Sequence, residues 1–137
     1  MAKAIAGEID KVASELSSHA DANLRDIGTR LNEAVSAART AVDWVVPTYG
    51  ANTRAAHAGA VPYLELWGLV AGGWQMGRAA LFAARHLAQG TGDARFMTAK
   101  IQTARFYADC LLPRATSLAR TITEGSDSVL AVATEQF

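Results

Sequence analysis

The sequence predicts an all-α fold, an antiparallel four-helix bundle with kinked third and fourth helices. Apolar residues recur at three- and four-residue steps along most of the chain, which is the period of a helix. Half of the 137 residues are hydrophobic but only 7% are aromatic. Alanine, the best helix former, supplies much of the difference. Short turn sequences separate the periodic segments, and helices joined in this way pack as antiparallel neighbours.

The bulk composition indicates one domain, residues 1–137, in a soluble cytoplasmic protein. Thirteen basic residues balance thirteen acidic ones, so a general nucleic-acid binder is not expected. Cys110 is the single cysteine, which excludes an internal disulfide. Charged residues interrupt the first eleven positions, so no signal peptide is expected there. The longest uncharged run, Leu66 to Gly77, is too short to span a membrane.

The first predicted helix covers about residues 2–18 and the second begins after a turn at residues 17–23. That turn is rich in Ser, Asp and Asn, which favour caps and turns. A single long helix remains the alternative, because the second helix continues nearly the same apolar stripe. The stripe of the first helix consists of Ile5, Ile9, Val12 and Leu16.

Prolines and caps place the boundaries of the third helical region. The second helix is expected to end near Val46, before Pro47, and residues 47–52 are expected to form a loop. Asn52 or Thr53 is the predicted N-cap of the next helix. Pro62 withholds a donor from the carbonyl of Ala58, so it should kink or divide that helix, which then runs to about residue 88.

A second turn at residues 89–93 precedes the fourth predicted helix, for which Asp93 is a good N-cap. Pro113 should bend this helix, and Gly125 is its expected C-cap. No structure is assigned to the tail at residues 126–137. One face of the helix carries Met97, Ile101, Ala104, Ala108 and Leu111, and another carries Phe106 and Cys110.

Residues 59–87 are the most apolar and most glycine-rich part of the chain, and we expect them to form the central helix. Apolar or small residues surround this helix on most sides, which is typical of a buried helix. Gly68 with Gly72 and Gly73 with Gly77 have a spacing that lets another backbone approach. Packing within the domain and a subunit or domain interface both remain open. The helical period is carried by Tyr63, Trp67, Val70, Trp74, Gly77 and Leu81.

Residues with catalytic potential are present but do not form a recognisable site. Glu15 and His19 could share a helix face, but a metal needs further ligands, so a solvated contact is expected. Cys110 lies in an apolar run and is expected in the core. No Glu-x-x-His pair and no phosphate-binding glycine loop occurs. We therefore predict no catalytic, cofactor-binding or metal residues. His57 and His86 are read as packing or capping residues, and Asp43, Glu65 and Asp109 as solvated charges.

Several motifs resemble the extra C-terminal domain of a subgroup of large bacterial acyl-CoA dehydrogenases. The resemblance runs in order from about Pro62 to Phe137, whereas the first fifty residues match only as amphipathic helices. The matching motifs are VPYL (61–64), LWGLVAGGW (66–74), KI (100–101), ARFYAD (104–109), LLPR (111–114), TIT (121–123), DSVLA (127–131) and QF (136–137).

This resemblance implies a helical domain appended to an enzyme that uses FAD to introduce a double bond beside the carbonyl of an acyl-CoA thioester. In that family the catalytic glutamate and the flavin site lie upstream of the appended domain. No stretch here matches either, so no residue role is carried over. The resemblance implies that this chain is not itself an enzyme, that its partners are the catalytic domains of a parent acting in fatty acid metabolism, and that a homo-oligomer is possible.

Two other functions remain open from the sequence. A free-standing amphipathic protein could coat a lipid or polymer surface through the apolar stripes of its first two helices. Alternatively, a pocket near the bends at Pro62 and Pro113 could bind a small apolar ligand, lined by Tyr63, Trp67 and Phe106.

Overall fold

The chain is all-helical throughout the part that the structure describes. The computed structural model describes residues 2–136, apart from the side chain of Thr134. No strand occurs in that range. The helices are α1 (Ala2–Ser17), α2 (Ala22–Ala51), α3 (Thr53–Ala58), α4 (Ala60–Gln89), α5 (Ala94–Cys110), α6 (Arg114–Glu124) and α7 (Ser126–Ala131), followed by a short 3₁₀ helix at Thr134–Gln136.

The predicted break near His19 is confirmed, and the alternative of one long helix is wrong. The Asp21 carboxylate caps α2 by accepting from the Asn23 backbone N–H at 2.7 Å. His19 Nδ1 accepts from the Asp21 backbone N–H at 3.0 Å, which fixes the turn. After the turn the chain runs back along α1, as the ion pair between Arg39 of α2 and Asp10 of α1 shows. The two helices therefore lie antiparallel.

The predicted end of the second helix near Val46 is wrong, and so is the loop at residues 47–52. Helix α2 continues through Pro47 to Ala51, and the Asn52 N–H donates to the Thr48 carbonyl at 2.7 Å. An interior proline removes one helical hydrogen bond, here to the Asp43 carbonyl. Asp43 and Pro47 are both exposed, so water can donate to the freed carbonyl in place of the chain.

The third helical region is divided, as Pro62 indicated, but the division lies at Gly59. Asn52 caps α3 by accepting from the Ala55 N–H at 3.1 Å, which confirms the predicted cap. Pro62 lies in the first turn of α4, where a missing N–H costs little. A Cβ on Gly59 would lie 3.4 Å from Ile122, so α6 packs closely on the division point.

The turn between α4 and α5 is confirmed. Gly90 adopts a left-handed conformation with φ of 65°, and its N–H donates to the His86 and Leu87 carbonyls at the end of α4. The Asp93 carboxylate accepts from the Arg95 N–H at 2.9 Å and from the Phe96 N–H at 3.3 Å, so it caps α5 as predicted.

The fourth predicted helix is divided into two, α5 and α6, rather than bent. Helix α5 ends at Cys110, and Pro113 immediately precedes the first residue of α6. Gly125 ends α6, as expected. The tail, for which the sequence assigned no structure, contains α7, and α7 packs against α3.

A continuous apolar core joins α1, α2, α4, α5 and α6. Helix α4 contacts α1, α2, α3, α5 and α6, but α2 likewise contacts five other helices, so α4 shares the predicted central position with α2. On α1 the buried stripe is rotated from the predicted one, because Ala6 and Ala13 are buried whereas Ile5 is exposed. The largest fully buried side chains are Ile9, Leu16, Leu24, Ile27, Leu31, Leu66, Val70 and Ile122.

Two isoleucines on α1 provide a matched test of this core. Ile9 is 0% exposed and Ile5 is 40% exposed. We expect Ile9→Ala to lower the free energy of unfolding by about 2 to 5 kcal/mol, because it leaves a cavity in the core. Ile5→Ala should cost less than about 1 kcal/mol. Urea unfolding of both variants checks this, and equal losses would contradict the rotated stripe.

Candidate functional site

Three glycines of α4 let neighbouring side chains approach the helix backbone. A Cβ on Gly72 would overlap the Tyr107 hydroxyl and lie 2.8 Å from its Cζ. A Cβ on Gly73 would lie 2.7 Å from Leu112, and one on Gly77 would lie 2.9 Å from Leu16. Glycines inside a helix are destabilising by roughly 0.5 to 1 kcal/mol each. At these three positions the close packing within the domain accounts for them.

Tyr107 of α5 is held in place on α4 by a hydrogen bond as well as by the space at Gly72. Its hydroxyl donates to the Leu69 carbonyl at 3.1 Å. Partial burial between the two helices raises the pKa of the Tyr107 hydroxyl above its ordinary value. The spacing of the glycines indicated that something approaches α4 closely, but it did not identify Tyr107.

Gly68 differs from the other glycines of this helix. It is exposed, and a Cβ at this position would meet no atom within 4 Å. The predicted pair of Gly68 and Gly72 is thus split, because Gly72 accommodates Tyr107 while Gly68 faces outward. Packing within the domain explains the pair of Gly73 and Gly77. An interface remains open for Gly68 alone.

The contrast between two glycines on one helix gives a direct test. We expect Gly72→Ala to lower the free energy of unfolding by about 1 to 3 kcal/mol, because the methyl group displaces Tyr107 from its site. Gly68→Ala should raise it by about 0.5 to 1 kcal/mol, since the methyl group meets open space and alanine favours the helix. Thermal and urea unfolding of the two variants check both signs. Stabilisation by Gly72→Ala would show that Tyr107 is not held there.

The raised pKa of Tyr107 also predicts a pH dependence. An acid whose pKa is higher in the folded state stabilises the fold fully below its unfolded pKa, and that contribution is lost as pH rises. The loss should therefore begin near the ordinary tyrosine pKa of 10.0 and continue above it. We expect the stability advantage of the wild type over Tyr107→Phe to shrink between about pH 9 and pH 11. Urea unfolding across that range measures it, and a constant difference would contradict the shift.

Cys110 is exposed, so its predicted place in the core is wrong. It lies at the last position of α5, and the face of α5 that enters the core carries Met97, Ile101, Ala104 and Ala108 instead. The prediction was wrong because the apolar residues around Cys110 do not by themselves show which face of the helix is buried. Exposure alone is not evidence that this thiol is a nucleophile.

The three histidines take part in local contacts. His86 Nδ1 lies 2.7 Å from the Thr91 hydroxyl in the turn after α4. His57 packs edge-on against Tyr49, with ring centroids 5.8 Å apart. These contacts agree with the packing and capping roles predicted for them. His19 contacts the turn, whereas Glu15 pairs with Arg85 at 3.5 Å, so the two do not form the contact considered from sequence.

The carboxylates read as solvated charges each form an ion pair. Asp43 pairs with Lys3 at 2.9 Å, and Glu65 pairs with Arg114 across α4 and α6. Asp109 accepts from Arg105 Nε at 2.6 Å. Sequence reasoning missed these pairs, although the i, i+4 spacing of Arg105 and Asp109 could have indicated one of them. All are partly solvated, and such pairs contribute little to stability.

Arg105 links α5 to α2 because it binds Asp26 as well as Asp109. The hydrogen bond to Asp109, together with the one to Asp26, raises the pKa of the Arg105 guanidinium above its usual range. The group stays charged at any physiological pH in either case. Its role in this arrangement is to position helices, not to transfer protons.

The three residues predicted to line a ligand pocket, Tyr63, Trp67 and Phe106, do not line one cavity together. Trp67 borders a cavity of about 70 Å³ between the start of α1 and the second half of α2. Typical small-molecule sites are about 300 Å³ or larger. Tyr63 packs against Trp67 with centroids 6.4 Å apart, and Phe106 is exposed. The other residues around the cavity are Ala2, Lys3, Ala6, Arg39, Val42 and Asp43.

Residues 2–136 contain no cluster of three or more His, Cys, Asp or Glu side chains that could hold a metal ion. Within the same range, no helix is both long enough and apolar enough to cross a bilayer. Packing within the domain does not account for the open face of α4 at Gly68. It also leaves the buried indole N–H groups of Trp67 and Trp74 without a hydrogen-bond partner among the described residues.

Comparisons with known proteins establish the family. The family model described as acetyl-CoA dehydrogenase C-terminal like matches residues 5–133. The chain belongs to this family. A 3-methylmercaptopropionyl-CoA dehydrogenase of Ruegeria pomeroyi is similar to the chain, with 42% identity over 104 residues. That segment covers 76% of this chain but only 18% of the relative's length. The match of the acetyl-CoA dehydrogenase C-terminal-like model confirms the resemblance read from the motifs and extends it to the first two helices.

Proposed function

We propose that this chain is a non-catalytic C-terminal helical domain of an FAD-dependent acyl-CoA dehydrogenase. In this proposal it supports the fold, assembly or active-site access of the enzyme, whose catalytic domains hold the flavin and the acyl-CoA. The observation that carries the proposal is the family match over residues 5–133. The name of the Ruegeria pomeroyi relative, a CoA dehydrogenase, supports it as well.

The packing of the described residues is consistent with a structural role. The glycines of α4 accommodate Tyr107, Leu112 and Leu16, so the most unusual part of the sequence is used for helix contacts. The partly buried Tyr107 hydroxyl donates to a backbone carbonyl, which makes it a packing group.

We further propose that the chain is one domain in which the helices act as four antiparallel segments: α1, α2, α4, and α5 with α6. The shared core of these helices supports this grouping. The opposed directions of α1 and α2 support it too, since Lys3 and Asp10 of α1 pair with Asp43 and Arg39 of α2. We propose a cytoplasmic location because the flavin enzymes that the chain resembles are soluble.

The two alternative functions have less support. A surface coat would need the apolar stripes of the first two helices, but Ile9 and Leu16 lie fully in the core. A small apolar ligand would need more room than the cavity beside Trp67 provides.

Purified chain tests the non-catalytic role. We expect preparations of residues 1–137 to show no visible flavin absorbance, even after incubation with FAD. We also expect no reduction of an artificial electron acceptor when acyl-CoA thioesters are supplied. Flavin binding together with turnover by this chain alone would overturn the proposal.

The Ruegeria pomeroyi relative tests the supporting role. Removing the segment that matches this chain should leave a polypeptide that still shows a flavin spectrum. We expect it to melt at a lower temperature, to change its oligomeric state, or to lose activity relative to the intact enzyme. An unchanged melting temperature, oligomeric state and turnover would contradict a supporting role in that protein.

A further inference from the structure

A groove between α1 and the second half of α4 combines an apolar base with a charged rim. Its volume is about 470 Å³, which lies within the range of small-molecule sites. The least exposed residues that line it are all apolar, and we call Val12, Ala79 and Leu81 the apolar base. The exposed residues that line it form the rim, namely Glu15, Gln75, Arg78, Phe82 and Arg85.

Arg78 is the cation of the rim whose charge is not compensated. Among the described residues it has no carboxylate partner. Its guanidinium donates to the Gln75 side chain at 3.2 Å and lies 5.7 Å from the centre of the Trp74 ring, and both of these partners are neutral. A guanidinium presents parallel N–H donors that match the two oxygens of a carboxylate. Arg78 is therefore available to an anion.

Arg85 provides a second cation on the same side of α4. It follows Arg78 by seven residues, which places it about two turns, or roughly 10 Å, further along the helix. Its ion pair with Glu15 has an N–O distance of 3.5 Å, the longest of any ion pair among the described residues. Both side chains are more than half exposed, and such pairs contribute little to stability. Arg85 can thus turn towards an anion at little cost.

Phe82 adds an aromatic surface between the two arginines. Its side chain is 51% exposed, and its ring packs against His86 with centroids 4.3 Å apart. A phenyl ring at the edge of the apolar base enlarges the surface that a hydrocarbon chain can cover. The two arginines and the single carboxylate of the lining leave the groove with a net positive charge.

We propose that this groove binds an amphipathic anion of the aliphatic carboxylate class, with the carboxylate between Arg78 and Arg85 and the alkyl chain on the apolar base. The rim favours a charged ligand over a neutral hydrocarbon, because a hydrocarbon would leave Arg78 uncompensated. The base favours a ligand with an alkyl chain over a fully hydrophilic anion, because the chain removes apolar surface from water. Glu15 opposes binding, since it competes for Arg85.

NMR titration of the 137-residue chain with three probes tests the site. We expect octanoate to shift the backbone amide signals of Ala79 and Phe82, with a Kd on the order of 1 mM for a ligand of so few atoms. Acetate supplies the charge without the chain, and 1-octanol supplies the chain without the charge. Each should bind at least about tenfold more weakly than octanoate. No shift with about 10 mM octanoate, or equal binding of either other probe, would overturn the proposal.

Variants of the rim assign the binding to the groove. Arg78→Gln should weaken octanoate binding by about tenfold, because it removes a charge-assisted hydrogen bond. Arg54→Gln, the same change at an exposed arginine of α3, should bind like the wild type. Glu15→Gln should tighten binding by about two- to fivefold, since it releases Arg85.

The changed residues are all exposed, so the melting temperatures of these variants should match that of the wild type. Equal weakening by Arg78→Gln and Arg54→Gln would overturn the proposal, and so would weaker binding by Glu15→Gln. This proposal goes beyond the proposed function, and the flavin and truncation tests succeed or fail independently of it.

Discussion

The close approach of side chains to the backbone of α4 is the constraint on which the rest of the packing depends. Leu16 of α1, Tyr107 of α5 and Leu112 before α6 each occupy the space that a Cβ would fill. These contacts bring helices from both sides of the molecule onto one central element. Because interiors are close-packed, a methyl group at any of these glycines would require the contacting side chain to move.

The same helix serves two purposes on its two sides. Its inner side is built for contacts within the domain, and the buried Leu66 and Val70 lie in the core between α2 and the neighbouring helices. Its outer side keeps Val61, Leu64 and Gly68 exposed. A helix that is apolar around most of its circumference is normally buried. The outer side of α4 thus leaves an apolar surface uncovered in the described residues.

Membership in a family of dehydrogenase C-terminal domains agrees with a fold whose polar groups are used for structure. Asn52, Asp21 and Asp93 cap helices. Ion pairs between helices are formed by Arg39, Arg85, Arg105 and Arg114. A catalytic site instead collects groups with perturbed pKa values in a cleft. Burial between two helices raises the pKa of the Tyr107 hydroxyl, which donates to the Leu69 carbonyl.

The sequence by itself determined the helical class, the central place of residues 59–87, and the turns at His19, Gly90 and Gly125. These features depend on local chemistry, namely the apolar period and the side chains that cap helix ends. It also carried the family resemblance, since motifs are read directly along the chain.

Tertiary structure decided the features that depend on distant contacts or on solvent exposure. Helix α2 passes through Pro47 because the lost hydrogen bond falls on an exposed residue, which local rules do not reveal. Cys110 lies outside the core because packing selected another face of α5. The glycine spacing predicted that a neighbour approaches α4 closely. Only the fold shows that Tyr107 occupies the space beside Gly72, whereas the space beside Gly68 is open. The same glycine spacing is compatible with an occupied and with an open position, because the neighbours of each glycine come from distant parts of the chain.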